Sequence, residues 1–172
     1  MEYTCYLSGP IESVKDSGVS WRRIFSKMIK KEKITIQIID PTNKKGKIAF
    51  EIGNEREKIQ QLKLQNKFSE VKSIMKKIRR WDLRAVDKSD LIVAYIDKNI
   101  PSCGTWDEIV TGERQQKPIL VIAEGGKTSI PDWAFAIFEE EYIFDTIEDC
   151  VYFLKKACNG DVELDDKWVS IL

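Results

Sequence analysis

The sequence contains no histidine among its 172 residues. Imidazole is the general base of Ser-His-Asp and Cys-His active sites and a common zinc ligand, so its absence excludes these enzymes and most zinc catalysis. The cysteines, at positions 5, 103, 150 and 158, show no CxxC spacing, which favours reduced thiols over a disulfide framework or a metal site. We expect no metal and no cofactor. Carboxylates, tyrosine or lysine must carry the chemistry if the protein is an enzyme.

The sequence also lacks a long apolar run and an excess of charge. Its 28 basic and 28 acidic residues balance, so we expect no cationic surface for nucleic acid or for an anionic membrane. Charged residues interrupt the amino-terminal region, which argues against a signal peptide, and no run approaches the roughly 20 apolar residues of a membrane span. We therefore expect a cytoplasmic protein that binds a small molecule. Its length is that of one domain, residues 1–172.

What the sequence does contain is an alternation of apolar strands and amphipathic helices. Runs rich in β-branched residues predict strands at 3–7, 34–39, 91–96, 118–122 and 142–144. Helical spacing of apolar residues predicts helices at 21–29, 68–86 and 147–158, one beginning near Thr105, and a weaker one at 51–64. Alternating β and α elements are typical of a parallel sheet, so we predict an α/β, flavodoxin-like, doubly wound five-stranded sheet in the order 2-1-3-4-5.

Residues 102–108 follow the strongest predicted strand and open the next helix. Open α/β sheets bind ligands at the carboxyl ends of their strands, so Glu108 is our candidate for the chemistry. We expect the helix N-terminus to keep this carboxylate ionised, as a nucleophile requires. The alternative is structural, because Thr105 and Glu108 have the spacing of a capping box, in which the glutamate only bonds the backbone at the helix start.

Further candidates lie at the first strand exit and in two helices. Tyr6 and the Ser8-Gly9-Pro10 turn are placed where a backbone can approach a ligand closely, although the turn may only end the strand. Arg22 is near a helix start, where it binds a phosphate or is a solvated charge. Asp82 is a candidate acid or a surface carboxylate paired with a cation such as Arg79. The basic residues of the 68–86 helix predict a solvated face; they are Lys72, Lys76, Lys77, Arg79 and Arg80.

Several stretches, in their order and spacing, resemble the nucleoside 2-deoxyribosyltransferase family and its nucleotide N-glycosidase relatives. They are residues 6–12, 38–42, 82–95 and 103–108 followed by 117–122, and the similarity extends over about residues 3–157. The resemblance implies cleavage of the N-glycosidic bond of a deoxynucleoside or its monophosphate. The deoxyribose passes to a second base or to water through a covalent glycosyl-glutamate.

The resemblance also implies roles for individual residues. Glu108 would attack the anomeric carbon, Asp82 would handle the proton at the nucleobase, and Tyr6 would orient the glutamate. Ser102 stands where the transferases carry an aspartate that contacts the base, which leaves the base and the choice between nucleoside and monophosphate open. The predicted substrate-binding residues are Ser8, Gly9, Pro10, Ile11, Trp21, Arg22, Ser102, Gly104 and Thr105.

A neighbouring subunit commonly completes the site in this family, so we expect a homo-oligomer. Two other interpretations stay open at this point. The first is a non-catalytic nucleotide-binding or sensor module that keeps the fold and the pocket. The second, weaker one is a flavodoxin-type flavin protein.

Overall fold

The computed structural model describes residues 3–44 and 54–169. The weak helical prediction at 51–64 is confirmed from Asn54 onwards, and its first three residues lie outside the described ranges. The strands are β1 (Tyr3–Ser8), β2 (Ile36–Ile39), β3 (Leu91–Ile96), β4 (Ile119–Ala123) and β5 (Ile143–Phe144). The helices are α1 (Val19–Lys31), α2 (Asn54–Leu64), α3 (Phe68–Lys88), α4 (Cys103–Arg114), α5 (Ile147–Asn159) and α6 (Asp166–Val169).

The strands form one parallel sheet in the order β2-β1-β3-β4-β5. This order confirms the predicted flavodoxin-like fold. The central strands read as continuous apolar runs because helices cover both of their faces. Every residue of β4 is buried, and Tyr95 alone in β3 is not fully buried.

The helices lie in two layers, one on each face of the sheet. Alternate residues of a strand point to opposite faces, so Leu91 and Val93 join the core beneath α1 and α5. Ile92 and Ala94 join the core beneath α3 and α4. No helix in the described part of the chain is both long enough and apolar enough to cross a membrane.

The strand order brings the ends of β1 and β3 side by side, with Ser8 paired in register with Ala94. The chain leaves β1 and β3 in different directions there, which opens a crevice at their carboxyl ends. Helix α4 lies close to the sheet beside this crevice. Gly112 permits the close approach, because a Cβ atom at that position would lie 2.2 Å from Cδ1 of Ile92.

Candidate active site

Glu108 is buried at the crevice between β1 and α4. It is the sixth residue of α4, and the residue is 9% exposed. The Tyr6 hydroxyl donates a 2.8 Å hydrogen bond to Oε1, and the Ser8 hydroxyl donates a 2.5 Å hydrogen bond to Oε2. Both donors come from the end of β1. They are two residues apart, so their side chains point to the same face of the sheet. Each oxygen of the carboxylate therefore has a fixed partner.

The capping-box alternative is wrong. Helix α4 begins at Cys103 after the N-cap residue Ser102, and no side-chain capping bond is present there. Thr105 is already the third residue of the helix, so Glu108 lies in the second turn, beyond the free backbone N–H groups that a capping box satisfies. Glu108 instead accepts hydrogen bonds from two side chains of β1, a strand that is far from it in the sequence. A helix cap does not require such contacts.

Burial raises the pKa of Glu108 to about 8. The nearby Asp82 carboxylate adds to the increase, while the Ser8 and Tyr6 hydroxyls and Arg22 oppose it. Our expectation of a carboxylate kept ionised by the helix N-terminus is therefore wrong. The physical reason is position, because the second turn of α4 is desolvated and beyond the first turn, where the helix dipole acts.

Asp82 lies on α3 in the same crevice and is 7% exposed. Nζ of Lys44 lies 2.8 Å from its Oδ1 atom, and the same ammonium lies 4.5 Å from the centre of the Trp81 ring. Burial raises the pKa of Asp82, and the Lys44 charge opposes this. Asp82 is thus neither a surface carboxylate nor the partner of Arg79.

Arg22 is fully buried beneath the loop that follows β1. Its Nε, Nη1 and Nη2 atoms donate to the carbonyls of Leu7 at 3.2 Å, Gly18 at 2.8 Å and Gly9 at 2.9 Å. Nε also lies 3.6 Å from Oδ1 of Asp40. The solvated-charge interpretation is wrong, since every guanidinium nitrogen binds the backbone of this loop or strand end. The contacts hold the loop in shape.

Trp21 also supports that loop from behind. Its ring stacks on Tyr95 with centroids 5.2 Å apart. A Cβ atom at Gly9 would lie 2.9 Å from Cζ2 of the Trp21 ring. Neither Trp21 nor Arg22 lines the cavity described next.

A cavity of about 750 Å³ opens above Glu108 and Asp82, within the size range of small-molecule sites. The loop after β1, the start of α4 and one side of α3 form its walls. Tyr6 and Ser8 lie behind Glu108 and do not line the cavity themselves. The predicted substrate-binding residues that do line it are Gly9, Pro10, Ile11, Ser102, Gly104 and Thr105.

The sequence analysis missed several residues of this site. Lys44 follows no recognisable motif, and only the folded chain brings it to Asp82. Lys72, Lys76 and Arg79 are exposed, which confirms the predicted solvated face, but the sequence analysis did not predict that they also line the cavity. Their spacing of four and three residues places them on one side of α3, which was a usable signal. Among the described residues, no group of acidic or cysteine side chains is arranged to hold a metal ion.

No protein-family model and no curated protein matches the sequence. Solved structures do match the fold. A 2-desoxiribosyltransferase from Leishmania mexicana is similar with a TM-score of 0.57 and 15% identity, over 90% of this chain and 97% of its own.

Two further structures are similar over most of their length. A conserved protein from Enterococcus faecalis V583 has a TM-score of 0.57 and 16% identity, over 91% of this chain and 99% of its own. A 2-deoxyribosyltransferase from Bacillus psychrosaccharolyticus has a TM-score of 0.55 and 13% identity, over 85% and 88%. At these identities the likeness concerns the fold. The chain therefore has the fold of these 2-deoxyribosyltransferases.

Proposed function

We propose that the protein cleaves the N-glycosidic bond of a deoxynucleoside or of its monophosphate. The observation that carries the proposal is a buried carboxylate, Glu108, held on both oxygens by Tyr6 and Ser8 at the floor of a cavity. A second buried carboxylate, Asp82, lines the same cavity. Pairs of carboxyl groups with different surroundings are what glycosidic bond cleavage uses. The likeness to two 2-deoxyribosyltransferases adds support.

In the proposed reaction, an oxygen of ionised Glu108 attacks the anomeric carbon of the deoxyribose. A C–O ester bond forms while the C–N bond to the base breaks, and its electron pair leaves with the base. A second base or a water molecule then attacks the same carbon, gives up a proton to the Asp82 carboxylate, and releases the Glu108 carboxylate. The hydrogen bonds from Tyr6 and Ser8 hold both carboxylate oxygens, which reduces the cost of orientation in the attack.

We assign the proton transfer to Asp82. A nucleobase leaves more easily when a proton reaches its nitrogen as the bond breaks, and a carboxyl group with a raised pKa supplies one. The two carboxyl groups titrate as a coupled pair, because the charge of Asp82 raises the pKa of Glu108. The reactive form has one proton on the pair, on Asp82.

Incubation with each deoxynucleoside and each monophosphate, with and without a second free base, tests the proposal. We expect release or exchange of the base, detected by chromatography. Glu108→Gln should reduce kcat by at least about a thousandfold, since an amide cannot form the ester intermediate. The matched control is Glu113→Gln, the same change on the same helix at a residue that does not line the cavity. Equal turnover by Glu108→Gln and the unaltered protein would contradict the proposal.

The non-catalytic binding module remains the competing interpretation. It predicts that a nucleoside or nucleotide raises the melting temperature of the unaltered protein and of Glu108→Gln alike, with no product formed. The expectation of a homo-oligomer stays a prediction. Trp133 and Phe135, which are 82% and 50% exposed, are apolar surface that such an assembly would cover.

A further inference from the structure

Helix α3 contributes a row of cations to the wall of the cavity. Lys72, Lys76 and Arg79 line it, beside the apolar side chain of Met75. All three are exposed, as is Lys77 on the same helix, but Lys77 does not line the cavity. The basic residues of α3 therefore differ in position, and those that line the cavity face the same space as Glu108.

Three acidic residues of the cavity wall are each paired with a cation. Asp107 accepts two hydrogen bonds from Arg79, at 2.6 and 3.0 Å. Glu12 lies 3.0 Å from the ammonium of Lys63, which is not part of the cavity wall, and Asp82 is paired with Lys44.

Lys72 and Lys76 are different. Within the described ranges, neither forms a hydrogen bond or an ion pair. Of the acidic residues that line the cavity, Glu12, Asp82 and Asp107 each have a cation and Glu108 has two hydroxyl donors, which leaves Lys72 and Lys76 without an acidic partner. An anionic group on the ligand would complete this arrangement.

The row lies at a suitable distance from the reacting carboxylates. Lys76 precedes Asp82 by six residues, which is about 9 Å along the helix axis, and Lys72 is about 15 Å away. A lysine side chain can reach back over part of that distance. Because Glu108 and these lysines line the same cavity, a substrate with its anomeric carbon at Glu108 has room to extend an anionic group towards them.

We propose that Lys72 and Lys76 bind a phosphate monoester on the sugar, so that the substrate is a deoxynucleoside monophosphate and not the free deoxynucleoside. The inference rests on the proposed function for the placement of the sugar. Lysine is a common phosphate ligand, acting as a point charge. Arg22, the other candidate for a phosphate, has its guanidinium bound to backbone carbonyls.

Calorimetric binding to Glu108→Gln, which prevents turnover, tests the inference. The probes are the four common deoxynucleosides with their 5′- and 3′-monophosphates, which also identifies the phosphorylated position. We expect a monophosphate to bind at least about tenfold more tightly than its nucleoside, and this preference should decline as salt screens the lysines. Adding Lys72→Gln and Lys76→Gln should abolish the preference. Adding Lys77→Gln and Arg80→Gln, the matched exposed pair, should preserve it.

Equal affinity for nucleosides and monophosphates would overturn this inference and leave the proposed function intact. So would a preference that survives Lys72→Gln and Lys76→Gln, since other groups would then bind the phosphate. If monophosphates bind preferentially but the unaltered protein releases no base from any of them, the proposed function fails and the phosphate site stands.

Discussion

At the scale of single residues, the site depends on a carboxylate that burial makes reluctant to ionise. Glu108 has a pKa of about 8, yet attack on a sugar requires its anion. The hydroxyl donors Tyr6 and Ser8 stabilise that anion, and the charge on Asp82 opposes it. The reactivity of Glu108 is therefore set by groups from two other elements of the fold.

Tyr6→Phe should move the alkaline limb of the pH profile. The charge of Asp82 raises the pKa of Glu108, so Glu108 is the last of the pair to lose its proton, and kcat/KM, which reports groups of the free enzyme, should fall near pH 8, where the pair has no proton left for the base. The Tyr6 hydroxyl favours the ionised form, so its removal should shift this limb about one unit towards alkaline pH. Tyr152→Phe, at a 61% exposed position, is the control. An unchanged limb in Tyr6→Phe would show that this bond does not tune the nucleophile.

Lys44→Met should shift the acidic limb, on which the pair loses its first proton, from Asp82. Lys44 lowers the pKa of Asp82 through the ion pair at 2.8 Å, so its removal raises that pKa further. The acidic limb should then move to higher pH, and the alkaline limb, which belongs to Glu108, should change less. Lys63→Met, which breaks the surface pair with Glu12, should leave both limbs in place. A loss of activity with an unshifted profile would mean that Lys44 is only structural.

The sequence predicted Glu108 and Asp82 as candidates, and the structure brings both to one cavity, but their surroundings were not predicted. Glu108 was chosen because it follows a strand end at a helix start, and Asp82 mainly because of the family resemblance. Lys44 was invisible, since it precedes a part of the chain with no motif and meets Asp82 only through long-range folding. The pKa of Glu108 was predicted in the wrong direction, because burial depth is not readable from spacing.

At the scale of elements, the loop between β1 and α1 shapes one wall of the cavity. The N-cap residue of α1 is Gly18, with φ of 68°. Asp16 accepts hydrogen bonds from the backbone N–H groups of Gly18 and Ser20. These bonds and the Arg22 contacts hold the loop in one conformation. The sequence around Asp16 and Arg22 does not distinguish such a loop from a solvated turn, so neither set of contacts was predicted.

Gly18→Ala should distort this loop. Its φ is unfavourable for alanine, and the added Cβ would lie 2.4 Å from the Pro10 carbonyl oxygen and 2.5 Å from Nη1 of Arg22. We expect a loss of roughly 1–3 kcal/mol in the free energy of unfolding and a higher KM. Gly160→Ala is the matched control, because φ is 77° there but nothing lies within 4 Å. If both variants lose the same stability and neither changes KM, the loop does not shape the cavity.

The sheet itself was predictable in full. The sequence shows five apolar runs that alternate with helices, and neighbouring parallel strands need such helical crossovers. The usual order for five strands of this kind is 2-1-3-4-5, which is the order observed. The first and last residues of the helices and strands were predicted less accurately. Helix α4 begins two residues earlier than predicted, which changes the apparent role of Glu108 from cap to buried carboxylate.

At the scale of the whole molecule, a buried ionisable carboxyl group costs stability. The pKa of Glu108 is about 8 in the folded chain and has an ordinary value of 4.5. Near neutral pH the unfolded chain has lost this proton and the folded chain retains it. Stability from this group is therefore complete below pH 4.5 and is lost as the pH rises towards 8.

Glu108→Gln should abolish this loss, because the amide resembles the protonated acid and cannot ionise. The variant should be more stable than the unaltered protein by roughly 3 kcal/mol at pH 7, and the difference should vanish near pH 4. Urea unfolding at several pH values measures it. Asp107→Asn, at the exposed neighbouring position, should show no such dependence. A variant equally stable or less stable at pH 7 would mean that Glu108 is ionised in the folded chain.

The most direct measurement of the central claim is the mass of the reaction intermediate. The protein is mixed with each deoxynucleoside and each monophosphate, quenched in acid, and digested for peptide mass spectrometry. We predict one added deoxyribosyl group, or its phosphate ester, on the peptide containing Glu108, and none on Glu108→Gln. Asp107→Asn should retain the adduct. Base release without any adduct, or an adduct that survives in Glu108→Gln, would contradict the assignment of Glu108 as the nucleophile.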